Sequence, residues 1–341
     1  MTTHTDQAAA TATATAMDQG TVARTDQATA TATAAATATA TAAATATATA
    51  TDQTALGGAG YTPDEMMTVA AARALRDGTV CFVGIGAPSV AANLARHSHA
   101  PTMVLVYESG TIGAKPTALP LSIGDGELAD TADFVVSVPE IFAYWLQAGR
   151  IDVGFLGAAQ IDRHANLNTT VIGDYDRPST RLPGAGGAPE IAASCRQVII
   201  LVRQTPRTFV QQLAFRTSVG FGDGPGDRER FGLRGRGPTL VITDLGILRP
   251  DPATCELVLT ELHPGVTLAA ARDATGWELQ VADQVTTTPA PTPDELRTLR
   301  ALKAAPRRPS TTSTAPAAPR AARHITTGQV PRGTVPDRRR P

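Results

Sequence analysis

Between about residue 61 and about residue 302, short apolar runs alternate with stretches of helical period. The runs at 79–83, 103–107, 151–156 and 198–202 have the length and content of strands in a sheet covered on both faces. Ahead of the first, Thr62-Pro63-Asp64-Glu65 marks a helix start, with Thr62 as cap, Pro63 in the first helical position and Glu65 completing a capping box. That helix is expected to run to about Arg76, with Met66, Val69, Ala70 and Ala74 inward, and to stop at Asp77-Gly78. Gly84 to Ser89 turns the chain into a second helix ending near Arg96. Strand, helix and strand, with about 20 residues between strand starts, make a parallel βαβ unit. Further along, the pattern predicts a strand at 134–138, a helix at 139–149 and a hairpin strand within 166–172. Next come a short helix at 191–195, strands at 240–243, 246–248 and 257–262, and a last helix at 293–302. The expected fold is α/β, with a mostly parallel sheet and helices on both faces.

Composition changes at both ends. Residues 1–58 are a Thr-Ala tract in which Asp-Gln recurs, for example at Asp6-Gln7 and Asp52-Gln53. Alanine and threonine bury too little area to offset the entropy of ordering a backbone, so the tract is expected to be disordered. Residues 305–341, rich in Pro, Arg, Thr and Ala, are read the same way, leaving one domain over 59–304. The 31 acidic and 30 basic residues nearly cancel, so charge gives no argument for a nucleic-acid or acidic-membrane partner. No apolar run is long enough for a membrane span, and the N-terminus has no basic segment followed by an apolar core. Three scattered cysteines, Cys81, Cys195 and Cys255, suit a reducing cytoplasm and suggest neither a zinc site nor a disulfide framework.

Glu108 is the first candidate for chemistry. It directly follows an apolar strand, and Ser109-Gly110 then turns the chain. Ligands of α/β proteins bind at the C-terminal ends of strands, although a strand-end glutamate can equally be a solvated one. Gly84-Ile85-Gly86 stands between a strand and a helix like the start of a dinucleotide fingerprint, but the third glycine position holds Ser89. A tight turn, or a loop lining another kind of site, fits as well. Gly184, Gly186, Gly187 and Ala188 form a glycine-rich loop ahead of a helix. Such backbone can hold a phosphate, serve an oxyanion, or simply connect. Asp162, His164, Asn166, Asn168, Asp174, Tyr175 and Asp176 lack the register of a calcium loop and read as turn formers. His97, His99 and His263 have no evident partners and are expected at the surface or as caps. No metal site is expected.

Six motifs in one order resemble the beta subunit of family I coenzyme A transferases. They are Gly84-Ile-Gly-Ala-Pro88, Tyr107-Glu-Ser-Gly110, Gly157-Ala-Ala-Gln-Ile-Asp162, Asn166-x-Asn168, Ile172-Gly-Asp-Tyr175 and Gly184-Ala-Gly-Gly187, and the likeness covers about residues 61–285. The branch it resembles is glutaconate CoA-transferase. Within that branch, the wording at 119–129 and at Ser137-Val-Pro-Glu-Ile-Phe142 is similar to the beta subunit of the actinobacterial steroid ring-cleaving acyl-CoA hydrolase. The resemblance implies a heteromeric enzyme with a separately encoded alpha subunit and an acyl-CoA substrate. No cofactor is implied beyond the coenzyme A of the substrate. It implies hydrolytic ring cleavage in steroid or cholesterol catabolism first, and transfer of CoA between carboxylic acids as the alternative. Glu108 then matches the glutamate that attacks the thioester, and Gly184, Gly186, Gly187 and Ala188 match the segment facing the developing oxyanion. In the hydrolase Glu108 would instead steer or act as a base. The 3-oxoacid branch usually follows this glutamate with Asn-Gly, and carries Asn where Phe82 stands here, which points away from 3-oxo acid substrates.

Overall fold

The computed structural model describes residues 60–306. The Thr-Ala tract at 1–58 and the tail from residue 307 onward lie outside the described residues. Helix α1 (Pro63–Arg73) opens as expected: the Glu65 N–H donates to Thr62 Oγ1 at 3.2 Å, and the Thr62 N–H donates to the Glu65 carboxylate at 2.9 Å. Strand β1 (Val80–Phe82), helix α2 (Ala87–Arg96) and strand β2 (Val104–Val106) form the parallel βαβ unit, with Cys81 opposite Leu105. Strand β3 (Thr111–Ile112), helix α3 (Gly126–Asp130) and strand β4 (Phe134–Val135) follow. A single helical turn, α4 (Val138–Glu140), then runs into a π-helical segment, Ile141–Leu146. After it come β5 (Val153–Leu156), β6 (Gln160–Ile161), β7 (Leu167–Asn168), β8 (Val171–Gly173), β9 (Pro178–Arg181), α5 (Ala188–Ser194) and β10 (Gln197–Leu201). The chain continues with α6 (Asp227–Arg230), β11 (Pro238–Ile242), β12 (Gly246–Pro250), β13 (Leu257–Leu262), α7 (Leu268–Asp273), β14 (Gln280–Thr287) and α8 (Pro293–Ala304).

Ten strands make one sheet in the order β14-β13-β12-β11-β10-β5-β1-β2-β3-β4. The central strands β11, β10, β5, β1 and β2 are parallel; β12 and β13 on one side and β3 and β4 on the other pair antiparallel, and the edge strand β14 pairs parallel with β13. One face packs on α1, α2 and α8 through Met66, Val69, Leu94, Leu105 and Leu299. The other packs on the π-helical segment, α5 and α7 through Ile141, Leu146, Ile191 and Ala271. This is the α/β sheet covered on both faces that the apolar runs predict. The chain leaves β1 toward β2 on one side and returns to β5 on the other, which puts a topological switch point at the C-terminal ends of these strands. Among the described residues no helix is long and apolar enough to cross a membrane.

Two expectations change. The strand at 134–138 shrinks to two exposed residues at the sheet edge, because Gly110 and Ile112 offer it only a short partner. The helix at 139–149 becomes one α-turn and one π-turn. Both replacements adjoin the turn that carries Glu108.

Candidate active site

Glu108 stands on a turn held from three directions. Tyr107 before it is wholly buried under α2, with its hydroxyl 3.2 Å from Ser89 Oγ. Asn93 Nδ2 in turn donates to the Ser89 carbonyl at 2.9 Å. Ser89, which replaces the third fingerprint glycine, thus ties α2 to the strand end beside Glu108. The Gly110 N–H donates to the Tyr107 carbonyl at 3.0 Å, and the Tyr107 N–H to the Thr111 carbonyl at 3.0 Å. Glu108 and Ser109 are therefore the two central residues of a tight reverse turn. Gly110 has φ +104°, and a methyl group placed on it would lie 1.9 Å from the Val136 carbonyl oxygen. The Val136 N–H donates to the Gly110 carbonyl at 2.9 Å, so the chain following β4 is pressed against the turn. Only glycine satisfies both the backbone angle and the spacing.

The carboxylate at the tip is half-buried, and burial pushes its pKa above the ordinary carboxylate value. Among the described residues, nothing donates a hydrogen bond to it and no cation pairs with it. Ser109 Oγ beside it is also buried without a partner among these residues. Withdrawing a carboxylate from water without pairing it is unfavourable, and such groups collect at functional sites.

The glycine-rich loop reaches the same place. The Gly184 N–H donates to the Thr169 carbonyl at 2.8 Å, and the Ala188 N–H to the Ala185 carbonyl at 3.0 Å. These bonds shape the loop and remove both groups from the set of free donors. The N–H groups of Gly186 and Gly187 make no bond among the described residues. Gly187 caps α5, and its bare Cα faces the turn. A methyl group placed on it would lie 3.3 Å from Glu108 Oε1, and 3.0 and 3.2 Å from Cζ and Cε1 of Phe142. Of the residues singled out in the sequence, the fold brings Glu108 to Gly187, with Gly186 adjacent. It leaves Gly184 anchored behind and Ala188 inside the helix. Phe142 has no mark in the sequence; only the contact across the fold identifies it. An unpaired carboxylate, free N–H groups and an aromatic edge can together receive an acyl carbonyl and bear the charge that develops on it.

The acidic cluster builds turns. Asp162 Oδ1 accepts from the N–H groups of His164 at 3.0 Å and Asn166 at 2.9 Å, and Asp174 Oδ1 accepts from Asp176 and Arg177. His263, expected at the surface or as a cap, is 2% exposed, with Nε2 2.9 Å from the Thr243 carbonyl. The packing of β13 against β12 carries it inside, a long-range pairing that spacing does not reveal.

Comparison with known proteins matches residues 64–271 to the family described as Coenzyme A transferase. A relative, one of the subunits of the 3-oxoadipate CoA-transferase of Pseudomonas knackmussii, is 62% identical over 239 residues, covering 70% of this chain and 92% of that protein. The IpdB subunit of a cholesterol ring-cleaving hydrolase from Mycobacterium tuberculosis is 28% identical over 252 residues, covering 70% of this chain and 93% of that one. The crystal structure of glutaconate coenzyme A-transferase from Acidaminococcus fermentans superposes with a TM-score of 0.67 at 34% identity, over 71% of this chain and 94% of that one.

Proposed function

This chain belongs to the coenzyme A transferase family, and from that premise we propose that it is the beta subunit of a heteromeric enzyme that moves CoA between carboxylic acids through Glu108. The observation that carries the reading is the unpaired, half-buried Glu108 carboxylate brought against Gly187 of the glycine-rich loop. In the reaction, Glu108 attacks the thioester carbonyl and expels CoA thiolate, leaving an acyl-glutamyl anhydride. The thiolate then attacks the glutamyl carbonyl, releases the first acid as its carboxylate and leaves a glutamyl-CoA thioester. An acceptor carboxylate repeats the two steps in reverse, and Glu108 is restored. The N–H groups of Gly186 and Gly187 stabilise the oxyanion of each tetrahedral intermediate; one such donor contributes about 10²–10³ in rate.

The steroid ring-hydrolase expectation gives way to transfer. Identity of 62% to a protein named for CoA transfer, against 28% to the ring-cleaving hydrolase subunit, favours the former. The same relative favours 3-oxoadipate as one of the acids, against the expectation drawn from Ser109-Gly110. Gly110 of that dipeptide is required by the turn's backbone, and the dipeptide's wording weighs less than identity over 239 residues. The relative is named as one subunit of its enzyme, which supports a separately encoded alpha subunit as partner.

The test uses this chain assembled with that alpha subunit. Acyl-CoA is added without acceptor, and hydroxylamine or borohydride traps the adduct for peptide mass spectrometry. The expected result is a modified Glu108, with transfer abolished in Glu108→Gln. Turnover without an adduct, or activity retained in Glu108→Ala, overturns the proposal.

A further inference from the structure

We propose that Phe142 keeps water from the carbonyl carbon of the Glu108 adduct, and so determines whether CoA passes to an acid or is lost to hydrolysis. This inference rests on the covalent role of Glu108 and adds a residue to it. Three groups converge at one point. A methyl group placed on Gly187 would be in contact with the Phe142 ring edge at 3.0 and 3.2 Å and with Glu108 Oε1 at 3.3 Å. The ring edge and the carboxylate oxygen therefore both border the same space beside Gly187.

The way the ring is held supports a placed role rather than incidental packing. Phe142 lies in the π-helical segment, and its own carbonyl accepts the Gln147 N–H at 2.9 Å, closing the wide turn. Turns of this kind are rare and recur at functional sites. Ile141 and Leu146, both wholly buried, pin the segment to the sheet, and the Ser137–Glu140 capping box fixes its start, with Ser137 N–H and Oγ both donating to Glu140 Oε2 at 2.8 Å. The bond from the Val136 N–H to the Gly110 carbonyl joins the same stretch to the Glu108 turn, so the ring and the carboxylate are positioned by one connected piece of chain. The pKa of Glu108 is raised by burial alone.

The chemistry needs such a shield. A glutamyl-CoA thioester attacked by water gives the Glu108 carboxylate, free CoA thiol and a proton, and the energy of the thioester is lost. Attack by an acceptor carboxylate gives the anhydride and thiolate and conserves it. Excluding water from a reactive intermediate is how a closed site suppresses the first route.

The experiment compares the wild-type complex with Phe142→Leu and Phe142→Ala, with thermal unfolding as a fold control. Adduct lifetime is followed by trapping, CoA thiol release is measured without acceptor, and reactions run in ¹⁸O-labelled water. Phe142→Ala is expected to shorten the lifetime and raise thiol release relative to transfer by about tenfold, since the barrier to water is removed. The label should enter the Glu108 carboxylate, and Phe142→Leu should fall between. Should the alanine variant fail to fold, the leucine variant carries the same comparison. An unchanged ratio with an unchanged lifetime overturns the proposal, as does a parallel loss of both routes. Absence of any adduct in the wild type overturns instead the covalent role of Glu108, so the two failures are distinguishable.

Discussion

Replacing Gly110 with alanine isolates what the turn contributes to holding Glu108. Two costs arise together. The residue has φ +104°, and forcing a side chain into the left-handed region costs about 1–2 kcal/mol. The added methyl would also lie 1.9 Å from the Val136 carbonyl oxygen. Because that atom is backbone, the chain beyond β4 must move away and the 2.9 Å bond from Val136 to Gly110 is lost. Overpacking costs about 1–3 kcal/mol and the bond about 1 kcal/mol, so the total is about 3–6 kcal/mol. Two controls divide the sum. Gly78 has φ +72° with nothing within 4 Å of an added methyl, so Gly78→Ala should cost only the backbone part, about 1–2 kcal/mol. Gly154 has no left-handed φ, but its methyl would lie 2.5 Å from Ile191 Cγ2 and 2.7 Å from Cys195 Sγ; Gly154→Ala should show only the overpacking part, about 1–3 kcal/mol. Urea unfolding of the three variants, with unchanged m-values, gives the comparison. Transfer activity of folded Gly110→Ala should fall well below that of the other two, since it alone displaces Glu108. If Gly110→Ala costs no more than Gly78→Ala and keeps full activity, the argument that β4 clamps the turn is wrong.

Two further predictions concern charge. Burial raises the Glu108 pKa, so its protonated form is favoured in the fold; the penalty for the charged form is absent below the unfolded value and complete above the folded one. Glu108→Gln should therefore unfold at a higher temperature than wild type at pH 7, with the difference vanishing toward pH 4, and the acid limb of transfer should lie above the usual carboxylate range. Calorimetry and a pH–rate profile read these directly. Arg228, buried without a carboxylate in contact among the described residues, donates to the carbonyls of Ala192 at 3.1 Å, Gly220 at 2.7 Å and Gly235 at 2.8 Å. Arg228→Met should cost about 3–5 kcal/mol in urea unfolding by leaving those carbonyls without donors, and a loss under 1 kcal/mol would contradict this role.

The features legible in the sequence are those encoded within a few residues. The Thr62–Glu65 capping box, the βαβ unit and the placement of Glu108 at a strand end follow from local spacing, and the fold reproduces them. Strand β14 was hidden because Gln280-Val-Ala-Asp-Gln-Val-Thr-Thr287 is a largely exposed edge with no apolar signature. The π-turn at Ile141–Leu146 was hidden because a helical period does not distinguish one kind of turn from another. The meeting of Glu108, Phe142 and Gly187 joins three segments far apart in the chain, and no local pattern encodes it. The motif wording that favoured ring hydrolysis sits largely in turns and caps, such as Ser137 to Glu140, where the backbone constrains the residues.

The arrangement around Glu108 shows how a marginally stable domain holds one unfavourable group. A half-buried carboxylate without a partner tends to relax into water or to find a cation. Here relaxation is blocked on the strand side by Tyr107, which is wholly buried and linked to Ser89, and on the turn side by Gly110 against Val136. On the third side, Gly187 and Phe142 leave no room for a bulkier neighbour. Each constraint is stabilising by itself, through core burial, a turn hydrogen bond or a sheet-edge bond, and none satisfies the carboxylate. The energy that keeps Glu108 exposed to a thioester therefore lies in its neighbours. Changing Gly110 should impair transfer by moving an intact nucleophile, whereas Glu108→Gln should remove the nucleophile and leave the fold more stable.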